Sequence, residues 1–122
     1  MQRNGQLKKY VTLQQKYVND ADALLKKGDY VQASEKLWGS IATLTKAIAT
    51  LRKKRINSHD GITFFLATVL NELKDKSMLR VILMANGLHQ NFYEDTLIPE
   101  MVIEGAKAIK HLSKRMRNYF NL

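Results

Sequence analysis

The stretch DYVQASEKLWGSIATLTKAIATLRKKR, residues 29–55, decides the fold. Within it Tyr30, Ser34, Leu37, Ile41, Leu44, Ile48 and Leu51 recur at alternating steps of four and three. That spacing gathers side chains onto one face of an α-helix. Trp38 and Thr45 widen the stripe. Asp29 offers an N-cap oxygen, and Gly28 suits the end of a preceding helix. The spacing predicts a helix from Asp29 to near Arg55, stopping before Asn57-Ser58.

The same periodicity extends in both directions. Leu7, Tyr10, Val11, Tyr17, Val18, Ala21, Leu24 and Leu25 mark a first helix that ends at Lys26-Lys27-Gly28. Ile62, Phe65, Leu66, Val69 and Leu73 mark a third, from about Asp60 or Gly61 to Lys74. A fourth starts near Ser77 and carries Leu79, Ile82, Leu83 and Leu88. Pro99 opens a fifth, whose inward face is Val102, Gly105, Ile109, Leu112, Met116 and Tyr119. Short connections imply antiparallel neighbours, so the predicted fold is an all-α, up-and-down antiparallel bundle of about five helices. The segment from Ala21 to Tyr30 resembles the turn of a tetratricopeptide pair, but residues 55–62 do not repeat it, so it is read as a hairpin. Gly39, Gly87 and Gly105 fall inside helices and are expected where helices cross closely.

Composition bounds the rest. A chain of 122 residues is one domain, read as 1–122. With no Cys there are no disulfides, thiolate metal sites or cysteine nucleophiles. The N-terminus MQRNGQLKKY lacks a signal peptide's apolar stretch, and the run from Ile62 to Leu70 is too short to span a bilayer. A cytoplasmic location without membrane contact is the expectation. The net charge of +9 is concentrated in residues 1–28, 46–60 and 99–122, and such an excess attracts polyanions. Cations at helix C-termini also stabilise the macrodipole, which gives part of this charge a purely local role.

No Gly-rich phosphate loop, HExxH, GxSxG or paired-carboxylate spacing occurs, and neither cofactor nor metal is expected. Chemistry therefore falls to Arg52, Arg55 and His59 around one turn, and to His89 and Tyr93 at the end of the fourth helix. In strict up-and-down topology both clusters face the same pole. There arginine could fork onto phosphate and histidine could shuttle protons. The alternative is that Ser58 or His59 caps a helix and His89 bonds nearby backbone. His111, among Lys110, Lys114 and Arg115, reads as a solvated residue. Trp38 and Phe92 are expected in the core, whereas Tyr93, Tyr119 and Phe120 are open between core and base-stacking platform.

Three segments together carry a family resemblance: GDYVQASEKLWG at 28–39, NSHDG at 57–61 and LHQNFYE at 88–94. In this order and spacing they resemble the archaeal PaREP family, one of the HEPN-like helical domains (higher eukaryotes and prokaryotes nucleotide-binding), over roughly residues 15–120. The resemblance implies a bundle around a long helical hairpin, a homodimer, and a nucleotidyltransferase-type partner in a prokaryotic cytoplasm. Many HEPN proteins are ribonucleases with a closely spaced Arg and His. Arg52 and His59, with six residues between them, match that spacing. The family's catalytic pair corresponds here to about residues 84–95, which hold His89 and no Arg. The leading reading is a binding or accessory module for nucleotide, nucleic acid or a partner protein. The alternative is a metal-independent endoribonuclease using Arg52 or Arg55 with His59 and His89. A third is a purely structural interaction bundle with an exposed apolar face.

Overall fold

Gly28, at φ 78°, is the one glycine in the left-handed region among the described residues, and it closes the first helix. The computed structural model describes the backbone of residues 2–122 and the side chains from residue 5 onward. It contains five helices and no strand among those residues: α1 (Gln2–Lys27), α2 (Tyr30–Leu51), α3 (His59–Glu72), α4 (Lys76–Glu94) and α5 (Pro99–Phe120). The all-α, five-helix reading stands. At the α1–α2 turn the Asp29 N–H donates to Leu24 O at 2.9 Å and the Gly28 N–H to Leu25 O at 3.1 Å. These satisfy the last carbonyls of α1. Asp29 then accepts from the Gln32 N–H, capping α2 as expected.

The end of α2 differs from expectation. It stops at Leu51 rather than near Arg55, because Lys53 turns left-handed at φ 58°. The Lys54 N–H then reaches Ala49 O at 2.8 Å and the Lys53 N–H reaches Thr50 O at 3.1 Å. This is the glycine-type helix stop carried out by a lysine, so composition gave no signal of it.

The consequence is topological. His59, at the start of α3, packs on Trp38 in the first half of α2, while Glu72 at its end meets Arg52 beyond the end of α2. Hence α3 runs in the same direction as α2, and residues 52–58 carry the chain back along the bundle. The other connections reverse direction. Asn91 near the end of α4 bonds Ser34 near the start of α2, and Arg115 near the end of α5 pairs with Asp75 just before α4. Gln14 in α1 donates to Ser113 in α5, closing the bundle across 99 residues.

The core is the expected apolar stripe of α2 packed against α3, α4 and α5, with Leu37, Ile41, Leu44, Ile48, Leu66, Leu88, Ile109 and Leu112 fully buried. Three inward assignments fail: Leu51, Leu83 and Tyr119 are exposed. Two of the three glycine assignments hold. A Cβ at Gly39 would meet the Tyr17 ring at 3.1 Å, and one at Gly105 would meet Leu88 at 3.0 Å. Gly87 has nothing within 4 Å and faces open space.

Candidate functional site

Three of the five predicted site residues come together by a route other than the expected one. The rings of His59 and His89 stack with centroids 5.0 Å apart, and both lie against Trp38, at 4.6 and 5.0 Å. Tyr93 meets His89 edge-on at 5.4 Å and Phe92 at 5.0 Å. The return segment brings the start of α3 beside the first half of α2, where α4 ends. Trp38 is 8% exposed and forms the floor, while the side chains of His59 and His89 are 41% and 26% exposed. Tyr93 stands outside at 70%.

Hydrogen bonds fix how the imidazoles are held. Nδ1 of His89 lies 2.9 Å from Glu35 Oε1, and a carboxylate can only accept, so this nitrogen carries the proton. Nε2 of His59 donates in the same way to Asn86 Oδ1 at 3.0 Å, an oxygen shared with the Thr63 hydroxyl. In the neutral rings His59 Nδ1 and His89 Nε2 remain acceptors. His59 Nδ1 lies 3.7 Å from Asp60. Ser58, not His59, caps α3, accepting from the Gly61 N–H at 2.9 Å. Glu35 and Asn86, the groups that orient the rings, went unsuspected in the sequence because each reads as an ordinary polar helix position.

Neither predicted arginine joins this cluster. Arg52 lies fourteen residues beyond Trp38 along α2, about 20 Å at the helical rise. Its Nη1 pairs with Glu72 at 2.7 Å and its guanidinium sits 5.9 Å from the Phe120 ring centroid. The expectation of a single pole for all five residues is corrected by the same-direction packing of α3 on α2. Among the described residues no group of three or more His, Asp or Glu is placed to hold a metal ion.

Arg55 belongs to a different site. It lines a cleft of about 500 Å³ with Lys46, Lys53, Lys54, Thr50 and Ile56, and with Gln6 and Tyr10 from α1. Among the described residues four cations share this cleft and no carboxylate lines it. None of the four makes an ion pair among the described residues; Lys54 lies 5.8 Å from the Phe65 ring centroid. The half-buried Tyr10 adds a ring to the cationic wall. The signal was present as the run Arg52-Lys53-Lys54-Arg55, but a run does not show which cations converge.

Among the described residues no helix is long and apolar enough to cross a membrane. No match was found among curated proteins. A family model described as the archaeal PaREP1/PaREP8 family matches residues 9–113, which include most of the α1–α2 hairpin, the return segment, both stacked histidines and the four cations of the cleft. The chain belongs to the archaeal PaREP1/PaREP8 family.

Proposed function

We propose that this PaREP protein is a HEPN-like, non-catalytic module that binds the phosphate backbone of nucleic acid in the cytoplasm. The observation that carries this reading is the convergence of Lys46, Lys53, Lys54 and Arg55 on one cleft free of carboxylates. Phosphates recruited there release counterions, and the +9 charge of the chain steers them in. Cleavage by an Arg/His pair has less support: Arg52 is occupied by Glu72, and among the described residues no guanidinium accompanies the stacked histidines.

The test is a salt titration with single-stranded RNA and DNA. If three or four of these cations meet phosphates, log K falls against log salt with a slope of roughly −2 to −3. Changing Lys53→Gln and Arg55→Gln together reduces that slope by about 1 to 2 and weakens binding about tenfold at low salt. RNA should be recovered intact from the complex. No binding at low salt removes the proposal.

A second reading concerns the protein's partner, and a specific surface favours it. Leu83, Met84, Gly87, Leu97 and Met101 line a cleft of about 490 Å³ between α4 and α5, edged by Glu100 and Glu104. Leu83 is 73% exposed, and Ile98 and Met101 are also exposed. An apolar face of this kind is covered in most soluble proteins, and a homodimer formed through α4 and α5 would cover it. The bare backbone at Gly87 permits close approach. Leu83→Glu is expected to convert dimer to monomer in light scattering at micromolar concentration, without loss of helix content. An unchanged mass for the variant and wild type would set this reading aside.

A further inference from the structure

Among the described residues Arg117 has two side-chain partners, and neither is charged. Its Nη1 donates to Gln15 Oε1 at 2.9 Å and to Gln14 Oε1 at 3.2 Å. Gln14 is itself buried, and its Nε2 donates to Ser113 Oγ at 3.3 Å. The guanidinium is thus positioned by neutral amides, with Nη2 and Nε not engaged by them. A structural arginine half-buried at a helix contact is commonly neutralised by a carboxylate. Here no carboxylate lies within ion-pair distance of Arg117 among the described residues. Asp20, which shares a neighbouring groove with Arg117, is engaged by Lys16 at 2.8 Å and faces Lys36 at 3.9 Å. The hydrogen bond from Lys16 holds the Asp20 carboxyl below the usual carboxylate range.

Arg117 borders a cleft of about 380 Å³ between α1 and α5, together with Lys110, Lys114, Ser113 and Asn118. Lys110 is paired with Asp22, whereas Lys114 makes no ion pair among the described residues. The cleft shares no lining residue with the cationic cleft at Lys46–Arg55. Its volume lies near the lower end of the range for small-molecule sites, about 300–1,000 Å³.

From this arrangement we infer that the α1–α5 cleft is a binding site for a small phosphomonoester, with Arg117 and Lys114 as its anion-binding pair. Phosphate oxygens suit the planar fork of Arg117, pre-oriented by Gln14 and Gln15, and the ammonium of Lys114 supplies the second positive charge. The Ser113 hydroxyl, which accepts from Gln14, keeps its own proton to donate, and Asn118 offers an amide to the rest of the ligand. Pre-orientation lowers the ordering cost of binding. Lys114 and Arg117 lie beyond the residues matched by the family model.

The experiment is a titration of the full, nitrogen-15-labelled chain with inorganic phosphate, AMP and adenosine at fixed ionic strength, following the Gln14 and Gln15 side-chain amide signals. Phosphate and AMP are expected to shift those signals saturably, and adenosine is not. Arg117→Gln should weaken AMP binding about tenfold or more. Lys114→Gln, an exposed change that leaves the Gln14–Ser113 contact intact, should weaken it several-fold while leaving RNA binding at the other cleft unchanged. Should Arg117→Gln fail to fold, the Lys114 variant decides. Signals that do not saturate, adenosine binding as well as AMP, or an unaltered AMP affinity in Lys114→Gln would each overturn the site.

Discussion

Asn91→Ala is expected to destabilise the protein by about 3–5 kcal/mol, a large part of the 5–15 kcal/mol that holds a domain of this size. Asn91 is buried in the last turn of α4, and all of its side-chain polar atoms are used. Its Oδ1 accepts from the Thr96 and Leu97 N–H groups, both at 2.8 Å, and its Nδ2 donates to Ser34 Oγ at 3.0 Å. One amide therefore ties α2, α4 and the α4–α5 connection together. Alanine leaves two backbone donors and a fully buried hydroxyl without that partner. Each such loss costs about 1–3 kcal/mol where water cannot substitute, less where it can. Asn91→Asp keeps the two acceptor contacts but loses the donor and buries a carboxylate against Ser34 Oγ, so it should be destabilising as well. Urea unfolding followed by circular dichroism measures both. A loss below about 1 kcal/mol for Asn91→Ala would mean that water replaces the side chain.

Trp38→Ala should be of similar size, about 3–5 kcal/mol, which corresponds to a fall of roughly 10–20 °C in Tm. The indole packs in the core between α2 and both histidine-bearing helices. Its removal opens a cavity and also takes away the floor on which His59 and His89 stack. The imidazole proton signals of both histidines should therefore move together, even though neither residue is substituted. Trp38→Phe retains part of the floor and should cost less. A thermal melt and a proton spectrum of each variant check the pair of effects. Unmoved histidine signals in a folded Trp38→Ala protein would show that Glu35 and Asn86 hold the rings without it.

Much of the architecture was legible because the α2 stripe from Leu37 to Ile48 is almost uninterrupted and becomes the core. Asp29, Gly28 and Pro99 marked helix ends through chemistry that depends only on neighbours in the chain. The course of residues 52–58 was not legible. A lysine in the left-handed region ends α2, and nothing local states that the chain then runs back along the bundle. The site suffered from that same omission. His59 and His89 do gather, through packing on Trp38, which its apolar setting had marked as core alone, and Tyr93 joins them through His89. Arg52 opens the return segment and Arg55 lies within it beside a different cleft, so neither reaches the histidines. Leu83 carried an apolar signal that helical periodicity assigns inward, although the residue lies on an open face. Polar supports such as Gln14, Glu35 and Asn86 act through partners at least 23 residues away, and Asn91 reaches Ser34 across 57. No short-range pattern reports contacts of that range.

The return segment also bears on how the molecule is put together in time. Because α3 is not folded back on α2 through a tight turn, α1 with α2 and α3 with α4 form two separate hairpins, each made of contacts close in sequence. Contacts close in sequence are expected to form first, and the long-range ones later, when Ile56 settles against the core and α5 closes over α1. Lys53, Lys54 and Arg55 are carried by the strap between the two hairpins, while Gln6, Tyr10, Lys46 and Thr50 belong to the first alone. The cationic cleft is therefore completed only when the strap is drawn into place. A nascent or half-folded chain has the positive charge without its arrangement, and selective capture of a polyanion is a property of the finished molecule.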